Sequence, residues 1–244
     1  IVTGGGTGVG AVTATALAMA GARVTIIGRR EAPLREVAKQ HKSIGWITCD
    51  VTDSGAVADA FRQSHQLNGP IDIVIANAGA AHSSPFRGTT AEAFQGMLNV
   101  NLVGVFNCFQ AALRDMENAG CGRMIAIAST AGLKGYPYVS GYCAAKHGVV
   151  GLVRSLAVEL ATTGITVNAI CPGFVETPLL ERSISTIAEK TGMSAEDAAS
   201  SLRRRNPQRR FVQPEEVAAT ALWLCSDGAG SVNGHALSVS GGEV

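Results

Sequence analysis

The first twenty residues, Ile1-Val-Thr-Gly-Gly-Gly-Thr-Gly-Val-Gly-Ala-Val-Thr-Ala-Thr-Ala-Leu-Ala-Met-Ala20, decide the fold. The apolar start reads as the end of a strand, the glycines as a turn, and the alanine-rich stretch as a helix. A strand, a glycine turn and a helix form the first half of a βαβ unit that binds dinucleotides, with the pyrophosphate at the start of the helix. Helices also begin after glycine turns without such a ligand. The other motifs of the chain therefore decide whether this turn binds a dinucleotide.

A second strand is predicted over Ala22–Ile27, and it ends at Gly28-Arg29-Arg30. In dinucleotide-binding folds, an acidic residue about 20 residues after the glycine turn binds the ribose 2′-hydroxyl. Here glycine takes that place and two arginines follow. This favours NADP over NAD, because a guanidinium binds a phosphate through two parallel hydrogen bonds. The alternative is that Arg29 and Arg30 only solvate the start of the next helix.

Five further apolar stretches alternate with helical patterns along the chain. Nearly continuous apolar strands are typical of a parallel sheet buried on both faces. The alternation has no break in composition, so the sequence predicts one α/β domain over residues 1–244. The five strands are predicted at Ile44–Cys49, Ile71–Ala76, Met124–Ala128, Ile165–Ile170 and His235–Val239.

The stretch from Ser129 to Lys146 combines residues suited to acid/base chemistry. Tyr142 and Lys146 are four residues apart, so on a helix they share one face. An unperturbed phenol has a pKa of about 10, and a nearby ammonium lowers it toward the working pH. Ser129 would then hold a carbonyl or alcohol oxygen beside the phenol. The alternative for this pair is a packed tyrosine with a surface lysine.

Two asparagines accompany these residues. Asn77-Ala78-Gly79 follows the fourth strand, where small residues let a cofactor pass closely. Asn101 lies in the apolar middle of a helix that begins at about Ala91. Its amide is interpreted either as a satisfied polar group or as a holder of a water or a backbone carbonyl.

The region 179–213 differs from the rest of the chain because it is polar and rich in arginine. Two short helices are predicted there, with a break at Thr191-Gly192 and Ser194 as the N-cap of the second helix. An insertion between a strand and the next helix, close to the cofactor, indicates a lid over the substrate.

Composition limits the class of protein. The 244 residues carry a net charge of +1, with 46% hydrophobic and 16% charged residues, so neither nucleic acid nor an anionic membrane is expected as a partner. No apolar run reaches the roughly 20 residues of a membrane span. The chain begins inside a strand without Met, so we expect preceding residues and leave a targeting signal open. No metal-ligand spacing is present, and six scattered cysteines indicate reduced thiols and a cytoplasmic protein: Cys49, Cys108, Cys121, Cys143, Cys171 and Cys225.

With these motifs placed, the chain resembles the short-chain dehydrogenase/reductase family from end to end. The glycine motif, the adenine-contacting acid, the Asn-Ala-Gly motif, the four catalytic positions with their thirteen-residue step from Ser to Tyr, and the Pro-Gly motif all match in order. The matching residues are Thr3, Gly4, Gly8, Gly10, Asp50, Asn77 to Gly79, Asn101, Ser129, Tyr142, Lys146, Pro172, Gly173 and Thr177.

The resemblance implies a Rossmann-type, doubly wound domain with seven parallel strands, assembled as a homotetramer. It implies hydride transfer between a nicotinamide and a carbonyl/alcohol pair, with Tyr142 as general acid or base. Lys146 would hold the nicotinamide ribose, Ser129 would orient the substrate oxygen, and Asn101 would anchor a relay water. The expected cofactor contacts are Gly4, Thr7, Gly8, Val9, Arg29, Arg30, Asp50, Val51, Asn77, Ala78, Gly79, Tyr142, Lys146, Pro172, Gly173, Val175 and Thr177.

Two subgroups of the family resemble this chain: 3-oxoacyl-thioester reductases, including polyketide ketoreductases, and 3-hydroxybutyrate dehydrogenase. The latter grips its free carboxylate with polar side chains, and the matching positions here hold Ala81, Ala131, Val139 and Ser183. An unpaired buried carboxylate is costly, which favours a thioester on a phosphate-bearing carrier, coenzyme A or acyl carrier protein.

The expected substrate contacts are Ser129, Tyr142, Lys134, Arg203 and Arg204, where the arginines would meet the phosphates of the carrier. A solvated basic turn is the alternative for the arginines. The alternative functions are an NAD-linked dehydrogenase of a small hydroxy acid or of a cyclic or aromatic alcohol, and a nucleotide-sensing binding protein on the same fold.

Overall fold

The computed structural model describes all residues, 1–244, and contains one sheet of seven parallel strands in the order β3-β2-β1-β4-β5-β6-β7. Each strand lies within two residues of its predicted position, and the predicted Rossmann-type fold is confirmed. The strands are β1 (Val2–Thr3), β2 (Val24–Gly28), β3 (Ile44–Thr48), β4 (Ile73–Ala76), β5 (Gly122–Ile127), β6 (Ile165–Pro172) and β7 (Ala236–Val239).

Helices cover both faces of this sheet, as parallel strands require. The helices are α1 (Gly8–Met19), α2 (Glu31–Ala38), α3 (Ser54–Asn68), α4 (Ala91–Leu98), α5 (Gly104–Ala119), α6 (Ser140–Glu159), α7 (Pro178–Thr191), α8 (Ala195–Arg203) and α9 (Pro214–Cys225). A π-helical turn, Asn99–Val103, joins α4 to α5, and a 3₁₀ turn, Thr130–Gly132, follows β5.

Two apolar cores lie on opposite faces of the sheet. One contains 26 buried residues and includes Phe61 of α3, Phe109 of α5 and Val153 of α6. The other contains 19 buried residues and includes Leu17 of α1 and Leu224 of α9. The strand order reverses between β1 and β4, so a crevice opens there at the carboxyl ends of the strands, where ligands bind in open α/β sheets.

The helical run Ala91–Ala119 is long and apolar enough, by length and composition alone, to cross a membrane. In this fold it is the continuous rod of α4, the π turn and α5. Its buried residues, which include Val105, Phe109 and Met116, pack into the domain core. A half-buried core helix passes the same test of length and hydropathy, and we describe it as such.

Candidate active site

The glycine turn between β1 and α1 requires glycine for steric reasons. Gly4 and Gly8 have φ angles of 63° and 55°, in the left-handed region. A Cβ atom on Gly10 would lie 2.5 Å from the Gly4 carbonyl oxygen and 2.5 Å from Asn77 Nδ2. Thr7, the N-cap of α1, makes no side-chain cap hydrogen bond, so the first N–H groups of α1, including that of Val9, keep the capacity to bind an anion. This loop fits the pyrophosphate of a dinucleotide.

The segment after β4 holds this loop from the other side of the crevice. The Thr3 hydroxyl accepts hydrogen bonds from the Asn77 and Ala78 N–H groups, at 2.9 and 2.7 Å. The Asn77 amide donates to the Thr3 carbonyl at 2.9 Å. The predicted cofactor residues of both segments are therefore joined by backbone-directed hydrogen bonds, and Thr3 is the residue through which they are joined.

The adenine end of the crevice carries exposed charges. Arg29 Nη1 lies 3.9 Å from Asp50 Oδ2, and the two side chains are 72% and 41% exposed, so this ion pair is weak. The Thr52 N–H and hydroxyl donate to Asp50 Oδ1 at 3.0 and 2.9 Å. The Thr52 N–H bond is the largest cause that holds the pKa of Asp50 below its usual value. Arg30, the N-cap of α2, is also exposed. Sequence reasoning missed Thr52, although Asp-x-Thr is a known turn pattern.

Val51, the residue after this acid, serves the fold as well as the site. Val51 is buried, and its carbonyl accepts a hydrogen bond from the Asn107 amide at 2.9 Å. A Cβ atom on Gly104 would lie 2.7 Å from the Val51 side chain. Val51, which follows β3, is thus held by its contacts with α5.

Asn101 lies in the π-helical turn and is fully buried. Its Nδ2 donates to the carbonyls of Ala80 and Met97, at 2.9 and 3.0 Å, and its Oδ1 accepts from the Ala80 N–H at 3.2 Å. The Asn101 amide is therefore hydrogen-bonded to backbone groups, including a carbonyl of the loop after β4. It ties the loop after β4 to the helix, directly beside Gly79, where a Cβ atom would lie 2.8 Å from Asn101 Oδ1.

Lys146 is buried, with 3% of the residue exposed, and Nζ donates to the Ile127 carbonyl at 2.7 Å. Nζ also lies 3.9 Å from the Cβ position of Gly79 and 5.6 Å from the centroid of the Tyr142 ring. Burial lowers the pKa of Lys146 to about 8, because the charged ammonium loses its hydration. The alternative of a surface lysine is excluded.

Tyr142 is partly buried, with the Ser129 side chain close to its hydroxyl. Burial raises the pKa of Tyr142 to about 12, and the interaction with Ser129 opposes this change. The prediction that Lys146 lowers the pKa of this phenol is wrong for the protein by itself. Lys146 is not among the groups that shift the phenol pKa, and burial outweighs the remaining contributions. Ser129 also accepts a hydrogen bond from the Ala131 N–H at 3.1 Å, which fixes its orientation.

The turn after β6 borders the same crevice. Thr177 is the N-cap of α7, and a Cβ atom on Gly8 would lie 3.1 Å from the Thr177 methyl group. The Thr177 hydroxyl donates to the Val175 carbonyl at 3.2 Å, and Val175 pairs with Val212 in an isolated parallel bridge. The Gly173 N–H donates to the Val239 carbonyl at 3.0 Å, which places Pro172-Gly173 against the last strand.

The α7–α8 segment, residues 178–213, covers this turn. Its predicted break is confirmed: Gly192 has φ 73°, and the Ser194 side chain accepts a hydrogen bond from the Asp197 N–H at 3.1 Å. Lys190 Nζ donates to the Ser83 carbonyl across the crevice at 2.9 Å. The segment has its own small apolar cluster, composed of Leu180, Ala199, Leu202 and Phe211, with Phe174, Ile184 and Ile187 packed against it.

The basic residues predicted to meet the substrate already have partners. Arg203 forms an ion pair with Glu196 and lies over the Phe211 ring. Arg204 is exposed and donates to the Ser200 hydroxyl at 3.0 Å. Lys134 Nζ lies 3.1 Å from the carboxylate of Glu243. Arg205, in the same basic run, is exposed and lies over an aromatic ring, as described below.

Comparisons with known proteins agree with this geometry. A family model described as Enoyl-(Acyl carrier protein) reductase matches residues 4–243. The D-beta-hydroxybutyrate dehydrogenase of Cupriavidus necator is 35% identical and covers 100% of this chain and 96% of the relative. The 3-oxoacyl-(acyl-carrier-protein) reductase of Mycobacterium bovis is 33% identical, at 99% and 91% coverage. The crystal structure of a variant of actinorhodin polyketide ketoreductase with NADPH has a TM-score of 0.96 at 36% identity, covering 99% of this chain and 95% of that chain.

Proposed function

The chain belongs to the short-chain dehydrogenase/reductase family of oxidoreductases, and on that premise we propose that it interconverts a 3-oxoacyl and a 3-hydroxyacyl thioester with NADP as cofactor. The observation that carries the proposal is the convergence of Ser129, Tyr142 and Lys146 at the carboxyl ends of the strands, next to a loop that fits a dinucleotide.

When bound, the dinucleotide supplies or accepts the hydride, and the residues of the chain handle the proton. Ser129 holds the substrate oxygen beside the Tyr142 hydroxyl, and in reduction the phenol donates its proton to that oxygen. A pKa of about 12 keeps the phenol protonated at neutral pH. The oxygen of a forming alcohol is more basic than a phenolate, so the proton moves downhill. In oxidation the same pair works in the opposite direction.

Lys146 and Asn101 support this proton transfer from positions next to Gly79. The buried Lys146 amine borders Gly79, and Asn101 holds the Ala80 backbone on the other side of that glycine. We propose that Lys146 holds the nicotinamide ribose. Asn101, whose amide is already bonded to the backbone, serves by fixing the loop and the water of a proton relay.

A thioester is favoured over a free acid because the four positions that would bind a small carboxylate hold no charged side chain. Ala81, Ala131 and Val139 carry no polar group, and the Ser183 hydroxyl donates to the Leu179 carbonyl of its own helix at 3.0 Å. A carboxylate buried there would be unpaired. The α7–α8 segment then serves as the lid, with Arg204 exposed toward a phosphate-bearing carrier.

NADP is favoured over NAD by what stands at the end of β2. Gly28 has no side chain to bind the ribose 2′-hydroxyl, and a Cβ atom there would meet only Leu34, at 3.6 Å. Arg29 and Arg30 are exposed at the same edge, and the weak ion pair of Arg29 with Asp50 leaves both able to bind a 2′-phosphate.

The test is a comparison of substrates and cofactors with purified protein, followed by nicotinamide absorbance. We expect saturable oxidation of NADPH by acetoacetyl-CoA, at a higher kcat/KM than with NADH, and little turnover of free acetoacetate. Saturating turnover of free acetoacetate would overturn the assignment of a thioester. Turnover of only cyclic or aromatic ketones would favour the alternative dehydrogenase, and binding of NADPH without turnover of any carbonyl would favour a nucleotide-sensing protein.

We further propose that the protein is a cytoplasmic homotetramer. Apolar side chains remain exposed on the outer faces of the helices that flank the sheet, among them Phe106 of α5 (44%) and Val158 of α6 (79%). Sedimentation equilibrium measures the mass directly, and a monomer at micromolar concentration would refute this assembly.

A further inference from the structure

A buried carboxylate lies beside the catalytic loop, residues 128–139 between β5 and α6, and takes no part in the chemistry proposed above. The Glu243 side chain is 2% exposed. Its Oε1 accepts a hydrogen bond from the Tyr136 hydroxyl at 2.6 Å and lies 3.1 Å from Lys134 Nζ. Lys134 also donates to the Glu243 backbone carbonyl at 3.2 Å. Glu243 thus joins Lys134 and Tyr136, which precede it by 109 and 107 residues.

Tyr136 connects this carboxylate to three parts of the active site. Its hydroxyl shares a hydrogen bond with Thr130, the residue after Ser129, at 2.7 Å. Its ring meets the edge of Phe174 in the turn after β6, with centroids 6.2 Å apart and planes at 84°. The Arg205 guanidinium, just after α8, lies 5.4 Å from the centroid of the same ring. The catalytic loop, the turn and the α7–α8 segment therefore meet on one aromatic ring.

The phenol of Tyr136 remains a hydrogen-bond donor. Burial and the hydrogen bond to the Glu243 carboxylate both raise the pKa of Tyr136 well above its usual value. A protonated phenol between a carboxylate and a threonine hydroxyl has a defined donor and a defined acceptor. The ring is consequently held in one orientation, with its faces and edge fixed relative to Phe174 and Arg205.

Stability alone does not account for this carboxylate. Glu243 Oε2 is buried and has no hydrogen-bond donor, and it lies 3.3 Å from the Cβ position of Gly173. A buried ion pair often contributes less to stability than apolar side chains of similar volume would, and an unsatisfied oxygen adds a further cost. A methionine or leucine would fill the same space without that cost. What the carboxylate adds is the fixed position of Tyr136.

We propose that Glu243 is a positioning residue, which holds Tyr136 and thereby sets the catalytic loop and the α7–α8 segment in the geometry that the substrate requires. The inference rests on the proposed reductase activity. It predicts that losing the carboxylate weakens substrate handling more than cofactor binding, since Gly173 is the one expected cofactor contact that it approaches and none of its contacts reaches the glycine turn or the adenine end.

The first experiment compares Glu243→Met with Glu243→Gln, because glutamine keeps an acceptor for Tyr136 and methionine does not. We expect Glu243→Met to lower kcat/KM for acetoacetyl-CoA about tenfold, mainly through KM. Glu243→Gln should recover most of that loss. The dissociation constant of NADPH, measured by fluorescence titration, should stay within about twofold in both variants.

A matched control removes a carboxylate that has similar contacts far from this cluster. Asp115 of α5 is 17% exposed and accepts hydrogen bonds from the His65 ring and the Ile71 N–H, at 2.8 and 2.9 Å. Asp115→Asn should lower the melting temperature and leave kcat/KM unchanged. If Glu243→Met likewise lowered only the melting temperature, Glu243 would be structural and the proposal would be wrong.

Tyr136→Phe provides a second variant, which deletes one oxygen atom and preserves the ring. It should reproduce the kinetic effect of Glu243→Met, and the double variant should be no slower than either single variant, because all act on one hydrogen bond. Additive losses in the double variant would contradict the linkage through Tyr136.

A readout without turnover separates this proposal from the proposed function. In Glu243→Met and in Tyr136→Phe, amide hydrogen exchange of the folded protein should become faster in residues 130–136 and 203–211. It should stay unchanged in residues 4–19. If wild-type protein reduced no carbonyl, the proposed function would fail, and faster exchange would still support the positioning role. Unchanged exchange would refute that role whatever the activity.

Discussion

The two halves of the active site are built in different ways. The dinucleotide half relies on backbone: Gly4, Gly8 and Gly10 leave no room for side chains, and Thr3 binds main-chain N–H groups of the segment after β4. The substrate half relies on side chains that touch one another across long sequence separations, as Tyr136 and Glu243 do. A site formed by the main chain can be predicted from the spacing of residues in the sequence. A site formed by side chains depends on tertiary packing, which the spacing does not reveal.

The largest effect on stability is expected from breaking the backbone half. Gly10→Ala would place a Cβ atom 2.5 Å from the Gly4 carbonyl oxygen. We expect the free energy of unfolding to fall by about 3 kcal/mol, the upper end for overpacking, and NADPH binding to weaken more than tenfold as the turn shifts. Urea denaturation and fluorescence titration measure the two quantities.

Gly151→Ala in α6 is the matched control, because a Cβ atom there would meet nothing within 4 Å. It should stabilise the protein by about 0.5–1 kcal/mol through better helix propensity. Equal effects of the two substitutions would mean that close approach at Gly10 is not what holds the turn.

The next effect concerns the buried lysine of the substrate half. The native pKa of Lys146 is about 8, against 10.5 for the unshifted group. Between these values the unfolded chain binds more protons than the native one, so this residue makes stability rise with pH across that window. We expect the unfolding free energy of wild type, relative to Lys146→Met, to rise by about 2 kcal/mol between pH 8 and pH 10.

Taking the difference between the two proteins matters because other groups titrate nearby. The pKa values of Tyr142 and of buried thiols such as Cys171 are raised, to about 12 and 11, so they make stability fall as pH rises through their unfolded values. The contribution of Tyr142 is shared by both proteins and cancels, whereas Lys146 also lowers the pKa of Cys171, so part of the difference reports that coupling. A difference that did not change with pH would show that Lys146 is neither buried nor charged as described.

The next prediction concerns the choice between NADPH and NADH, which residues at the end of β2 determine. Gly28→Asp should shift the ratio of kcat/KM for NADPH over NADH about tenfold toward NADH, because a carboxylate binds the ribose hydroxyls and repels a 2′-phosphate. Space for it exists beside Leu34. Gly45→Asp, on the neighbouring strand with nothing within 4 Å of its Cβ position, should leave the ratio unchanged.

The smallest effect on kinetics is expected where the α7–α8 segment contacts the loop after β4 across the crevice. Lys190→Ala removes the hydrogen bond to the Ser83 carbonyl, which is exposed to solvent. We expect KM for the acyl substrate to rise about twofold, with kcat unchanged, since exposed polar contacts contribute little. Lys39→Ala, which removes a surface pair with Glu36 on α2, should change neither constant.

Much of this could be predicted from the sequence. Apolar runs located every strand within two residues, and glycine spacing located the turn, because both are local consequences of backbone geometry. The partner of Lys134 could not be predicted, since Glu243 is 109 residues away. Nor could the arginine that lies over the Tyr136 ring be identified, because which of the residues 203–205 reaches that ring depends on where α8 ends.

The pKa of Tyr142 marks a second limit of this kind. A lysine one turn away suggested a lowered value, yet the extent of burial around both groups decides the balance. Burial follows from tertiary packing against β5 and β6, which the spacing of two residues on a helix does not reveal. The same packing explains why Lys146, predicted as the cause of the shift, has a displaced pKa of its own.

The measurement that tests the account most directly is turnover by Tyr142→Phe, which removes only the phenolic oxygen. The account predicts that kcat for reduction of acetoacetyl-CoA falls about a thousandfold while the dissociation constant of NADPH and the melting temperature stay near those of wild type. A variant that turned over at the wild-type rate would show that the proton comes from another group and would contradict the account.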